Sequence, residues 1–337
     1  MPKKYTILDI ARLSGFSKST VSKVLRDEPF VKESTRKKVS DIVKEVGYRP
    51  DELARRMVQG KNTIFIGLLI SDIFNPVFSE IAVGVGNEAN KQGYGVVLCN
   101  SPSAGLAKMH IEMLINYRAA GIISTITEMK DENIKYLSER NFPYVNINSK
   151  IKDIKSNEVF INHYEAAKSA VKYLIRKGHN NIAHFNQVSL GYGMKMRFKG
   201  YKDGLEDNKI LFRDSLVLQD LNTREGGYNC ARRLIESGLK ASAIFASNDL
   251  MAIGAMDFFA ANGYKVPDDI SIIGFDDIWI SSLENISLTS VHTPKAELGA
   301  AAVKILLERI EKGPDFIKQD HSFKTEIIER NSVKDIS

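Results

Sequence analysis

Cysteine is scarce in this chain, with Cys99 and Cys230 the two among 337 residues and far apart. They have neither the paired spacing of a zinc site nor the density of a disulfide framework. Both are expected as free thiols in a reducing compartment, with no bound metal. Long apolar runs are missing as well. No stretch of about 18 apolar residues occurs that could cross a membrane, and Met1 to Lys4 lead into a polar amphipathic segment without the apolar core of a secretory signal. A cytoplasmic protein with no membrane partner is the expectation. Catalytic signatures are also lacking: there is no Gly-x-Ser-x-Gly, no Gly-x-x-x-x-Gly-Lys-Ser/Thr and no His-Glu-x-x-His, and Gly191-Tyr192-Gly193 falls short of the dinucleotide-binding spacing. The adjacent Asp276 and Asp277 do not by themselves make a spaced carboxylate pair. The chain is therefore expected to be no enzyme and to need no cofactor.

Hydrophobic residues make up 43% and charged residues 26% of the sequence, the balance of a folded globular protein. At roughly 100 to 200 residues per domain the length accommodates two or three domains. The net charge of +6 is unevenly spread. Residues 1–61 hold 15 Lys and Arg against 8 Asp and Glu, a net of +7, which leaves −1 for all the rest. A small basic module on a near-neutral body suggests a head that binds a polyanion.

Within that head, Thr6 can cap a helix whose apolar positions Ile7, Ile10 and Ala11 lie three and four apart, and Gly15 interrupts it. Ser17 is a second cap. It precedes a short helix with Val21, Val24 and Leu25 on one face and Lys18, Ser19, Ser22 and Lys23 on the other. A third helix over Ser34 to Val46 would close the core with Val39, Ile42, Val43 and Val46, ending at Gly47. Helix, tight turn and second helix with a polar basic face are the layout of a helix-turn-helix, which offers its second helix to the DNA major groove. Lysine can donate to guanine O6 and N7 or to phosphate, and serine can meet several base edges.

The run Thr6-Ile7-Leu8-Asp9-Ile10-Ala11, followed by Gly15-Phe16-Ser17, Thr20-Val21-Ser22, Val24-Leu25, Thr35-Arg36 and Gly47-Tyr48-Arg49-Pro50, resembles the head of the LacI/GalR family of bacterial repressors. The resemblance implies operator DNA as partner, with Thr6, Ile7, Ser17, Lys18, Ser19, Ser22, Lys23, Arg26 and Tyr48 at the interface. It also implies that residues 51–61 form a hinge helix, too short to be stable alone, that orders on DNA and wedges an apolar side chain into the minor groove. Met57 stands at the wedge position where the family has leucine, and Arg55 and Arg56 would meet phosphates or the narrow groove.

From Ile64 onward the pattern changes to short apolar runs: 64–70, 95–99, 121–126, 144–147, 181–185, 243–246 and 270–275. Helical stretches alternate with them, over 77–92, 164–177, 224–236 and 250–261, which predicts parallel strands in two doubly wound lobes. Ligands of such sheets sit beyond the carboxyl ends of the strands. The loops there resemble the family's effector cleft, which places Phe74, Asn75, Phe78, Asn148, Arg197, Asn248 and Asp276 at a ligand. Asp276 can accept two hydroxyl hydrogens in charge-assisted bonds. Two positions depart from sugar-binding relatives: Leu221 replaces a stacking aromatic after Asp220, and Asn148 stands where aspartate is common. Trp279 offers an alternative apolar wall.

The whole chain thus reads as α/β, with a helix-turn-helix domain over 1–50, the hinge and linker over 51–61, and a two-lobed domain like the periplasmic binding proteins over 62–337. The first lobe is expected over 62–161 and 291–320, the second over 162–290 and 321–331, with the segment from Ile286 to Pro294 and a helix over Lys295 to Lys312 as a return crossover. The implied protein is a homodimeric repressor of carbohydrate genes whose operator affinity is set by a small ligand, first a sugar or sugar derivative. Alternatives are a purine as corepressor, a phosphoprotein corepressor, or a sugar-binding protein without regulatory role, which the basic head disfavours.

Overall fold

The computed structural model describes residues 5–48, 65–126, 131–148, 156–187, 191–317 and 321–337, which fall into two compact units, residues 1–63 and 64–337. In the smaller unit, Thr6 caps α1 (Ile7–Ser14): the Asp9 amide donates to Thr6 Oγ1 at 3.3 Å while the Thr6 amide donates to Asp9 Oδ2 at 2.9 Å. This reciprocal pair satisfies donors that the first helical turn leaves free. Gly15 ends α1 at φ +74°, a left-handed conformation that a side chain would strain. Ser17 then caps α2 (Lys18–Leu25) by accepting from the Thr20 amide at 3.2 Å. The third helix, α3 (Glu33–Glu45), begins one residue earlier than the sequence suggests. Ile10, Val21, Val24 and Val39 are buried between the three helices, and Leu25, Ile42, Val43 and Val46 pack around them. Arg36 of α3 pairs with Asp27 and donates to the Glu28 carbonyl at 2.7 Å, which holds the loop after α2.

The larger unit alternates strands and helices. Its first half runs β1 (Phe65–Ile70), α4 (Pro76–Lys91), β2 (Gly95–Asn100), α5 (Ala104–Asn116), β3 (Ile122–Ser124), α6 (Asp131–Glu139), β4 (Tyr144–Ile147) and β5 (Asn157–Ile161). The second half runs α7 (His163–Arg176), β6 (Ile182–Gln187), α8 (Tyr192–Asp207), β7 (Val217–Asp220), α9 (Arg224–Glu236), β8 (Ala243–Ala246), α10 (Asp249–Ala261), β9 (Ser271–Asp276) and β10 (Thr289–His292). The chain closes with α11 (Lys295–Lys312), β11 (His321–Phe323) and β12 (Glu326–Ile328).

These strands form two six-stranded sheets, in the orders β11-β5-β4-β3-β1-β2 and β12-β10-β9-β8-β6-β7. Among the described residues every pair is parallel except β10 with β12. Fully buried runs such as Ile66–Ile70 and Ala243–Ala246 suit strands covered on both faces.

The chain passes between the lobes three times, at Asn162, at Thr293-Pro294 and at residues 324–325. Two crossings therefore come slightly later than the divisions at 291 and 321 read from the sequence. Val291 and His292 remain paired with Phe275 and Asp276 in the second sheet, and His321–Phe323 pairs with Val159–Ile161 in the first. The ladder bonds carry each strand to its last paired residue before the chain departs.

Helix α11 returns to the first lobe and lies on α4 at backbone contact. A Cβ on Gly84 would fall 2.0 Å from the Ala296 carbonyl oxygen, and one on Gly299 would fall 2.4 Å from that of Ile81. Both glycines are needed for that approach, and it brings Lys295, the first residue of α11, to the ends of the second-lobe strands.

Candidate nucleic-acid interface and ligand cleft

On the smaller unit, Ser17, Lys18, Ser19, Lys23 and Arg26 are exposed along α2 and Ser22 is half-buried. The inward stripe of α2 fixes which residues face out. Ser17 Oγ lies 2.8 Å from Ser19 Oγ, while Arg26 folds back to donate to Ser22 Oγ at 3.0 Å and to the Ser22 carbonyl at 3.2 Å. Lys18 and Lys23 have no carboxylate partner among the described residues, so their charge is available to an anion. Thr6 is exposed at the start of α1, whereas Ile7 and Tyr48 pack against the head's core. Arg55, Arg56 and Met57 lie outside the described residues.

In the larger unit a cavity of about 580 Å³ opens between the two sheets. Its walls come from the carboxyl ends of strands in both lobes: Asp72 after β1, Ser101 after β2, Asn148 after β4, Gln187 at the end of β6, Leu221 after β7 and Asp276 at the end of β9. This is where open α/β sheets place ligands, because the loops diverge there and leave backbone and side-chain groups unpaired.

Of the seven cleft residues read from the sequence, the structure brings Asn75, Phe78, Asn148, Arg197 and Asp276 into this wall. Phe74 is not among them; it is 90% exposed and points to solvent. Asn248 is buried behind the wall, where it caps α10: its Oδ1 accepts from the Met251 amide at 2.9 Å and its Nδ2 donates to the Asn222 carbonyl at 3.3 Å. Both ends of that side chain are thus engaged inside the protein. Trp279 is exposed and is not a wall residue either, while Leu221 is. Asn148 adopts φ +54° and accepts from the Ile161 amide at 3.1 Å, which orients its amide nitrogen away from that strand.

Arg197, on the second turn of α8, organises the cleft. Its Nη2 donates to Asp276 Oδ1 at 2.9 Å, its Nε to His163 Nδ1 at 3.3 Å, and its Nη1 to the Ser247 carbonyl. The guanidinium also lies 3.6 Å from the centroid of the Phe275 ring, a cation–π contact in a desolvated place. Burial raises the Asp276 carboxyl above its usual range, opposed by Arg197 and Lys295.

Lys295 Nζ donates to the carbonyls of Asp276 at 2.6 Å and Asp277 at 2.8 Å and sits 3.4 Å from Glu80 Oε2. These bonds hold Asp276 at φ +101° and Asp277 at φ +52°, conformations an aspartate rarely adopts.

His163 and Lys295 are central residues that motif reasoning did not single out, because the first residue of a helix and a lysine after a proline carry no signature of their own.

Asp249 is buried and accepts from the Ile278 amide at 2.8 Å and from Ser281 Oγ at 2.7 Å, with Ser290 Oγ as a third donor. Burial, reinforced by the charge of Asp276, lifts its pKa to about 7. A carboxyl whose folded pKa lies above its unfolded value binds its proton more tightly in the fold. It favours the folded state at low pH, and that contribution is lost as pH rises through about 7. Asp249→Asn, which cannot ionise, is accordingly expected to lose less thermal stability than the parent between about pH 5.5 and 8. Melting curves with equal pH slopes for the two proteins would contradict this.

Two family models match the chain: bacterial regulatory proteins of the lacI family over residues 6–51, and the periplasmic binding protein-like domain over residues 171–333. The HTH-type transcriptional repressor PurR of Vibrio atlanticus (strain LGP32) is 34% identical over 342 residues, covering 98% of this chain and 99% of that protein. A crystal structure of the Lac repressor dimer bound to operator and the anti-inducer ONPF superposes with a TM-score of 0.85 at 24% identity, over 98% of this chain and 100% of that one. A LacI family transcriptional regulator from Enterococcus faecium with bound ribose superposes with a TM-score of 0.74 at 26% identity, over 81% and 100%. No helix among the described residues is long and apolar enough to cross a membrane. A head with an exposed basic face, two mostly parallel sheets around a polar cleft, and a full-length match to a repressor together make this chain a member of the LacI family, a DNA-binding transcription repressor with a ligand-binding effector domain.

Proposed function

We propose that this chain acts as a homodimer on a pseudo-palindromic operator, with α2 of each head in the major groove and a small ligand in the cleft setting operator affinity. Ser17, Lys18, Ser19, Ser22, Lys23 and Arg26 supply the groove and phosphate contacts, with Thr6, Ile7 and Tyr48 at their flank and Arg55, Arg56 and Met57 in the minor groove. Asn75, Phe78, Asn148, Arg197 and Asp276 hold the ligand. The observation that carries the reading is the buried Arg197–Asp276 pair in a cleft walled by both lobes, because a ligand touching that pair and the opposite wall favours one lobe arrangement over another. A sugar or sugar derivative is the first reading, favoured by a wall of hydroxyl, amide and carboxylate groups with Phe78 as its aromatic. A purine is the second, favoured by the name PurR on the 34%-identical relative. No feature of the described residues favours a phosphoprotein corepressor over either. Regulation without catalysis, in the cytoplasm, accords with the repressor relatives.

A thermal-shift panel of sugars, sugar phosphates and purine bases identifies the ligand class, since a ligand at 100 times its Kd stabilises the fold by about 2.7 kcal/mol. Lys18→Ala is expected to weaken operator binding about tenfold or more and to flatten its salt dependence; unchanged affinity at two salt concentrations rules α2 out of the groove. Asp276→Asn keeps an oxygen for Arg197 and removes the charge. It is expected to weaken ligand binding about tenfold in a protein that still binds operator. If ligand titrations of the two proteins coincide, the ligand lies elsewhere.

A further inference from the structure

Two buried polar atoms of the cleft wall lack a hydrogen-bond partner among the described residues, Asn222 Oδ1 and His163 Nε2, and His163 Nε2 is the one that can donate. His163 opens α7, is 4% exposed and forms part of the cavity wall. Its Nδ1 accepts from Arg197 Nε at 3.3 Å, so in the neutral ring the hydrogen resides on Nε2. Burial, and then the Arg197 charge, hold its pKa well below the usual imidazole value, which keeps the ring neutral. Nε2 has no hydrogen-bond partner among the described residues. The neighbouring wall residue is Gly193, which leaves Nε2 uncovered on that side: a Cβ there would sit 3.1 Å from it. The ring cannot turn to seek another partner without losing Arg197 and its stacking on Phe275, whose centroid lies 6.1 Å away.

The donor is therefore fixed in direction and unpaired beside the one carboxylate of the Arg197 pair. We propose that His163 contacts the effector, as a neutral donor from Nε2–H to an uncharged acceptor: a hydroxyl or ring oxygen of a sugar, or a carbonyl or ring nitrogen of a base. This rests on the cleft being the effector site. Asp276 accepts hydrogens from the ligand and His163 gives one, so the two select a molecule that carries both kinds of group on one edge. Among the described wall residues Arg197 is the one permanent cation, and its charge is already matched by Asp276. A free phosphate is not what this wall is built to neutralise.

Two substitutions separate contact from support. His163→Asn places an oxygen near Nδ1 and keeps an acceptor for Arg197, but does not reach the position of Nε2. His163→Gln reaches that position with an N–H and gives up the acceptor beside Arg197. Calorimetric titration of the full chain with ribose, cellobiose, hypoxanthine, guanine and ribose 5-phosphate provides the readout. For the uncharged probe that binds, the Asn variant is expected to lose about tenfold or more in affinity and the Gln variant to stay close to the parent. The reverse order, with Asn tolerated and Gln impaired, assigns His163 a supporting role and overturns the proposal.

Binding of ribose 5-phosphate alone overturns it too, while leaving ligand control intact. Silence from all five probes counts against the cleft reading and takes this inference with it. Should either variant fail to fold, nitrogen-15 spectra of histidine in the parent protein decide. Saturating probe is expected to shift the His163 Nε2–H signal, and an unmoved signal contradicts contact.

Discussion

A buried arginine, Arg197, 4% exposed, imposes the arrangement around it. Arg197 cannot be deprotonated, so its charge must be matched and its donors satisfied where it lies. The groups that do so arrive from separate places in the chain: Asp276 from the end of β9, the Ser247 carbonyl from the end of β8, His163 from the start of α7, and the Phe275 ring beneath. Removing one partner of such a pair leaves a buried charge uncompensated, at about 3–5 kcal/mol. The strand ends of the second lobe are thereby held together by a requirement of charge as much as by apolar packing.

Lys295 extends the same cluster to the other lobe. It opens the helix that lies on α4 of the first lobe, yet its ammonium donates to the carbonyls of Asp276 and Asp277. The unusual backbone of those two aspartates is held by this bond together with Asp277's pairing to Arg330 at 2.8 Å and His292 at 2.8 Å. On the proposed mechanism, a ligand at the Asp276 side chain acts on a residue whose main chain is already bonded to the opposite lobe. The three crossings then allow the lobes to move as bodies. Such a ligand shifts the balance of arrangements only by its differential affinity for them.

The head was legible almost to the residue because each boundary has a local chemical cause: Thr6 and Ser17 as caps, Gly15 as terminator, and Val21 and Val24 as an inward stripe. Strands of continuous apolar character were equally plain. β5 and β7 were not, since Asn157-Glu158 begins one and Gln219-Asp220 ends the other, and neither has the apolar run expected of a buried strand. α8 was read only as the motif around Arg197, because Gly200 and Gly204 weaken a helix pattern whose glycines serve close packing on α7.

The cleft wall was legible where a plain apolar strand ends in a carboxylate, as with Asp276 after the run to Phe275. It was not legible where a tertiary partner decides. Asn248 satisfies a helix end and Phe74 turns outward, while His163 becomes significant through Arg197, 34 residues away, and through the absence of a side chain at Gly193.

The central claim is that the cleft and the operator-binding head share one energetic balance. Linkage requires any such coupling to be reciprocal, typically 1–3 kcal/mol, or about 5- to 150-fold. The direct test is to measure the ligand's Kd by titration with and without saturating operator, and the operator's Kd with and without saturating ligand, at one salt concentration. The account predicts that both change by the same factor, well away from one. Ligand affinity that is indifferent to operator would contradict it.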